Sequence, residues 1–213
     1  MFPHVLKVKS FFLLLFLIYS IPSFAFADNQ KKDAVKHLFY GLKLADSGKY
    51  KEAVDAFKYA IRVNPDYAPA HNHLGDAYKK LGKNQEAIDA YKQAIRIRPD
   101  YSIARFNLGF SYASLGRNQE AVDTISKVIK DYPFYADAHY FLGTAYKSLG
   151  KNKEAIDAYK QAIRIKPDYA LAYLNLGIVY GMENDKDSAL DQYKILKGLD
   201  EKLANKLFNF IYH

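Results

Sequence analysis

The eleven-residue string AIDAYKQAIRI stands at 87–97 and again, unchanged, at 155–165. Chemistry needs a unique cluster of groups, so a verbatim copy 68 positions further on marks a structural part used more than once. In a wider frame, 77–101 and 145–169 differ only at Lys80/Ser148, Gln85/Lys153 and Arg98/Lys166, exchanges between polar side chains that water tolerates. The repeat itself therefore dictates what the chain folds into.

Its period is 34. Gly41, Gly75, Gly109, Gly143 and Gly177 keep that interval, as do Ala53, Ala87, Ala121, Ala155 and Ala189, while Pro65, Pro99, Pro133 and Pro167 close the first four units. Within a unit the apolar residues Ala87, Ile88, Tyr91, Ala94 and Ile95 recur at helical rather than strand spacing. Acids (Glu86, Asp89) come early and bases (Lys92, Arg96) late, which complements the helix dipole. Each unit thus reads as helix A, a tight break, helix B and a proline. The breaks Leu81-Gly82-Lys83-Asn84, Leu115-Gly116-Arg117-Asn118 and Leu149-Gly150-Lys151-Asn152 predict a left-handed glycine ending helix A and an asparagine capping helix B. Asp66, Asp100 and Asp168, just after the prolines, are expected to cap the next helix A. The charge ladders are expected to be solvated faces.

With Leu74-Gly75, Tyr78, Ala87, Tyr91, Ala94 and Pro99 in one unit and Leu142-Gly143, Tyr146, Ala155, Tyr159, Ala162 and Pro167 in another, the units resemble tetratricopeptide (TPR) repeats. The first unit carries Tyr40-Gly41, Leu44, Ala53, Phe57, Ala60 and Pro65. The third puts Ile125 and Val128 in its later places, and the fifth has Lys197 for the final alanine and no proline. The resemblance implies an all-α fold, a right-handed α-solenoid of five helix-turn-helix repeats (34–67, 68–101, 102–135, 136–169, 170–201) and a C-terminal capping helix at 202–213. Residues 28–33 are expected to be a short linker. Gly and Ala let paired helices approach closely, and because each pair has too little core of its own, stability is shared between neighbours. In "EKLANKLFNFIYH", Leu203, Leu207, Phe210 and Ile211 fall with Leu199 on one helical side, as a cap packed on the last helix B needs. A tail offered to another subunit or a membrane is the sharper alternative.

In TPR proteins the A helices line the wall that grips partner segments. Matched to that pattern, the groove residues are Leu38, Phe39 and Leu42; Asn72, His73, Asp76 and Lys79; Phe106, Asn107 and Phe110; Tyr140, Phe141, Thr144 and Lys147; and Leu174, Asn175 and Ile178. Asn107 and Asn175 hold the place where the family often carries an amide that donates to and accepts from a peptide backbone. The carboxylate clamp of chaperone-binding TPRs needs Lys and Asn one turn apart. Leu38/Leu42, Asn72/Asp76 and Phe106/Phe110 do not supply it, so a hydrophobic peptide or amphipathic helix fits this wall better.

No catalytic constellation, phosphate loop or cofactor motif stands out, and an enzyme is not expected. His71 and His73 lie about 200° apart on a helix and cannot share a metal. His37, His71 and His139 fall at one repeat position and read as structural. The absence of cysteine removes disulfides, thiol nucleophiles and cysteine-bound metals.

The first 27 residues stand apart. Lys7 and Lys9, the apolar run FFLLLFLIY at 11–19 and the exit Ala25-Phe26-Ala27 have the layout of a secretory signal peptide, and the 17 residues from Phe11 to Ala27 fall short of a spanning helix. Cleavage after Ala27 would remove two units of the formal net charge of +8. An exported, basic chain points away from nucleic acid and toward an acidic protein, lipid or polysaccharide. The expectation is a periplasmic or secreted adaptor that captures a protein or peptide of the cell envelope, with membrane contact only through an uncleaved signal or the C-terminal tail. The alternative is a homo-oligomer built by repeat stacking.

Overall fold

The computed structural model describes residues 28–212, so the segment expected to be a signal peptide lies outside the described residues. Every described element is a helix, and the described residues divide into two compact units, 28–83 and 84–212.

The first unit holds α1, described over 28–46, α2 (Tyr50–Val63) and α3 (Ala68–Lys80). Residues 28–33, expected to be a linker, are instead helical and continuous with α1. No Gly or Pro interrupts 28–40, and a Lys32–Asp28 ion pair at 2.8 Å adds an i,i+4 contact. The second unit runs α4 (Asn84–Ile97), α5 (Ser102–Ser114), α6 (Asn118–Asp131), α7 (Ala136–Ser148), α8 (Asn152–Ile165), α9 (Ala170–Met182), α10 (Lys186–Leu199) and α11 (Glu201–Tyr212). Helices α5, α7 and α9 begin repeats and α6, α8 and α10 complete them.

The hairpin turns work as their glycines predict. Gly48, Gly82, Gly116 and Gly150 have φ between 71 and 74°, the left-handed region open to a residue without Cβ. Behind Gly82, the N–H of Lys83 donates to Tyr78 O at 2.9 Å, which satisfies a carbonyl at the end of α3. In the fifth repeat Asn184 takes this conformation, at φ 60°.

The predicted caps are corrected by the structure. Asn118 and Asn152 are already the first residues of α6 and α8, and Asn84 opens α4. The cap positions before α6 and α8 are Arg117 and Lys151, neither with a capping side-chain bond. Asp66, Asp100 and Asp168 likewise sit one residue too early: Tyr67, Tyr101 and Tyr169 hold the cap position of α3, α5 and α9 without a side-chain bond. The turn closes through backbone instead, as where Tyr67 N donates to Asn64 O at 3.2 Å. Side-chain caps appear at the irregular fifth repeat, where Asp185 accepts from Ser188 N and Asp200 from Leu203 N.

Close approach explains the glycines inside helix A. A Cβ on Gly41 would come within 2.5 Å of the Phe57 ring, one on Gly109 within 2.6 Å of Ile125 and one on Gly143 within 2.8 Å of Tyr159. Phe57, Ile125 and Tyr159 are almost wholly buried. Successive repeats then share core: Ala155 and Tyr159 of α8 cluster with Leu176 and Val179 of α9. Tyr173 of α9 and Leu196 of α10 cluster with Ala204 and Leu207 of α11. Leu199 ends α10 exposed, but Leu203, Leu207 and Ile211 join this cluster with Ala204, and the half-exposed Phe210 sets its ring against Gly181 of α9.

The histidines form a repeated strut. Nε2 of His71 lies 2.9 Å from Pro65 O and Nε2 of His139 lies 2.9 Å from Pro133 O. Arg105, at the same register in the third repeat, donates to Pro99 O. Each ties the fourth residue of helix A to the proline that ends the preceding repeat. His37, with no preceding repeat, lies 2.9 Å from Asp33 O through Nδ1.

Candidate functional site

The candidate surface is the face of each helix A that the hairpin packing leaves uncovered. In the first unit, α1 and α3 border a cavity of about 430 Å³ lined by Leu42, Ala45, Asp46, Tyr50, Phe57, His73, Asp76, Ala77 and Lys80. Three of these, Leu42, His73 and Asp76, were expected from sequence. Phe57 and Tyr50 come from helix B, which matching of A helices alone does not reach. Leu38 and Asn72 were expected to face a partner, but they are 6 % and 1 % exposed and belong to the packed interior. Phe39, 64 % exposed, projects outward. His73 Nδ1 stands 3.4 Å from Asp76 Oδ2, and the His73 ring stacks on Phe57 at 6.0 Å. Burial lowers the pKa of the Lys79 ammonium, and the nearby Asp76 carboxylate opposes that shift.

In the second unit, α5 and α7 bring Phe106, Phe110, Phe141 and Tyr140 into one aromatic group. Phe141 is its centre, with ring centroids 5.6 Å from Phe106, 4.9 Å from Phe110 and 5.1 Å from Tyr140, all edge-to-face. Tyr135 joins Phe106 at 4.9 Å and Tyr169 joins Tyr140 at 5.0 Å. Neither tyrosine was expected in the site, although Tyr67, Tyr101, Tyr135 and Tyr169 repeat at the same 34-residue interval and could have signalled it. Burial raises the pKa of Tyr135 and Tyr140. Burial also raises that of Tyr169, reinforced by the Asp137 carboxylate, which accepts from its hydroxyl at 2.8 Å.

Beside these rings lies a polar network. Lys147 Nζ donates to Asn175 Oδ1 at 2.5 Å, and Asn175 Nδ2 donates to Tyr140 Oη at 3.1 Å and to Leu171 O at 3.0 Å. Thr144 Oγ1 returns a bond to Tyr140 O and accepts one from the Tyr159 hydroxyl. The Asn175 amide, expected to hold a peptide backbone, is thus engaged by its own repeat and the one before. Asn107 is half-buried on α5, and its carbonyl accepts from Ser111 Oγ at 2.8 Å. Leu174 and Ile178 lean toward the C-terminal helix, in the cluster with Leu203 and Ile211.

Among the described residues no three or more His, Asp or Glu side chains converge as metal ligands, and no helix is long and apolar enough to cross a membrane. The arrangement offers surface, aromatic edges and hydrogen-bonding groups, the equipment of a protein that binds other proteins through tandem helical hairpins. The TPR repeat model matches residues 41–82, 75–116 and 143–183, and a second tetratricopeptide repeat model matches 104–134. This chain belongs to the TPR repeat family.

No curated protein matches it. Among solved structures, a crystal structure of MamA is 30 % identical and superposes with a TM-score of 0.72 over 78 % of this chain and 96 % of that one. MamA from Desulfovibrio magneticus RS-1 gives a TM-score of 0.76 at 20 % identity, over 80 % of this chain and 96 % of that one. YrrB, described as a TPR protein with an unusual peptide-binding site, gives 0.72 at 19 % identity, over 88 % and 97 %. The last two likenesses are of fold. The chain is an all-α TPR solenoid and, as a member of this family, a protein-interaction scaffold.

Proposed function

We infer that this chain is an exported, non-enzymatic adaptor that captures an apolar segment of another protein on the inner faces of its A helices. The observation that carries the reading is the aromatic group around Phe141. Phe106, Phe110, Tyr140 and Phe141 are only partly covered by their own repeats, and such rings anchor binding when a partner completes their burial. Export rests on Lys7, Lys9, the apolar run 11–19 and the Ala25-Phe26-Ala27 exit. A periplasmic or secreted location follows from it, and with it a partner of the cell envelope.

The test compares partners captured from the exported fraction by the wild type and by the triple variant Phe106→Ala/Asn107→Ala/Phe110→Ala. Loss of the specific partner supports the groove; retention of every partner removes it. Fusing residues 1–27 to a reporter active only outside the cytoplasm tests export separately.

Self-assembly is the second reading. It is favoured by an exposed apolar patch in the second unit where Ile103, Tyr132 and Phe134 border a cavity of about 460 Å³. Sedimentation over a range of concentrations decides it, since a concentration-independent monomer rules out this reading.

A further inference from the structure

Lys79 and Lys147 occupy the same place in the two most similar repeats, and the structures around them differ in one telling respect. Beside Lys79 stands Asp76; at the matching place beside Lys147 stands Thr144. Burial lowers the pKa of both ammonium groups, but only Lys79 has a carboxylate acting against that loss. Around Lys147 no acidic group among the described residues contributes, and its ammonium donates to the neutral amide of Asn175. An ammonium has three donors, so one engaged with Asn175 Oδ1 leaves two for an incoming acceptor. A half-buried cation without a counter-ion is costly unless a partner brings one.

The geometry points to Lys147 as the seat of an acidic side chain: the inner face of the second unit takes a peptide whose Asp or Glu carboxylate docks on Nζ while an apolar residue lies against Phe141. This rests on the groove reading given above and adds the partner's chemistry. A carboxylate is the matching anion because one ammonium balances one negative charge, whereas a phosphate would bring excess charge into the same partly desolvated place. The spacing follows from the helix. Phe141 and Lys147 are six residues apart on α7, about 9 Å along its axis at 1.5 Å per residue. An extended peptide rising about 3.1 Å per residue spans that distance in three residues. Six helical steps also set Phe141 and Lys147 about 120° apart around α7, so the occupant carries its acid at least about three positions from its apolar residue.

Selection of random displayed peptides on the full chain tests this. Wild type is expected to enrich an acid at one fixed spacing, about three residues or more, from a Leu, Phe or Met, and a synthetic copy of the best peptide should weaken at least about tenfold when its Glu is changed to Gln. The Lys147→Met variant keeps the aliphatic stem and should lose the acid preference, whereas Lys147→Glu should select Lys or Arg at that position. Because the Glu-to-Gln change is made in the peptide, that comparison does not depend on any variant folding. Peptides that lack acid enrichment yet are lost on Phe141→Ala overturn the acidic partner and leave the groove standing. If no peptide is selected, both readings fall. If amidating the peptide's C-terminus abolishes binding, the site belongs to a chain end and the side-chain assignment is overturned.

Discussion

Gly177 of α9 lies under Leu207 of α11, so close that a Cβ on the glycine would meet Leu207 Cδ2 at 2.5 Å. In the hairpins of Gly41, Gly109 and Gly143 the residue pressed on the glycine comes from the hairpin's own helix B. In the last hairpin the terminal helix takes that place, and Tyr193, which holds the register of Tyr159, meets the Phe208 ring at a tilt, 5.5 Å between centroids, instead. Helix α11 is therefore an integral part of the fifth repeat's core. Leu207→Ala opens a cavity in a fully buried place and is expected to cost about 2–5 kcal/mol. Denaturant unfolding checks this; a loss below about 1 kcal/mol would show that α11 only shields the end of the array.

The glycines should differ in what they tolerate. Against Gly143 stands the buried Tyr159 ring, which is rigid, whereas against Gly177 stand the flexible ends of Leu207. Gly143→Ala is expected to destabilise by about 1–3 kcal/mol through overpacking, partly offset by the better helix propensity of alanine. Gly177→Ala should cost less. A reversed order in thermal denaturation would contradict the packing described.

Ala121 is fully buried in α6, between the second unit's flanking hairpins in sequence. Ala121→Glu forces a larger, charged side chain into a place closed to solvent and is expected to cost more than about 3 kcal/mol. Because repeat stability is carried by neighbours, calorimetry should show the single transition broadening or dividing. An unchanged single transition would mean that the array folds as one indivisible core.

The loop after α6 departs from its counterparts. Asp66, Asp100 and Asp168 follow the prolines of the other repeats, but in the third repeat Phe134 takes that position and is 79 % exposed. Phe134→Asp restores the recurring residue and should change stability by less than about 0.5 kcal/mol, since little packing is lost. Binding of a hydrophobic dye should fall, and any concentration-dependent association in sedimentation should weaken with it. Undiminished association would place the self-contact elsewhere.

Much of this was legible in the sequence because period and backbone demand coincide. Only glycine is at ease at φ near 74°, so Gly48, Gly82, Gly116 and Gly150 announce their turns. The caps were not legible: Asp66 and Asn118 are good capping residues in general, and a shift of one residue is enough to put them out of reach. The candidate site was legible as a set of helix faces but not as contacts. The bond from Lys147 to Asn175 crosses 28 residues and that from Asn175 to Tyr140 crosses 35, pairings that depend on how successive repeats are rotated. Asn72 and Leu38 are buried although their register matches that of the partly exposed Phe106 and Tyr140.

Lys147 also ties the proposed binding role to stability. Its folded pKa lies below the unfolded one because burial disfavours the charged form. Between the two values the unfolded chain holds more protons, so stability contributed at this site rises as pH increases through the folded pKa toward the unfolded one; below the folded pKa the full penalty remains. Lys147→Met removes the penalty at neutral pH and is expected to leave the protein at least as stable as wild type, while flattening the rise in stability on the alkaline side. Thermal denaturation of both proteins between neutral and alkaline pH measures this. A residue kept at a cost to the free protein and needed for binding an acidic peptide would be retained for its partner. If Lys147→Met instead lowers the melting temperature at neutral pH, the ammonium is a structural support of Asn175 and not a waiting cation.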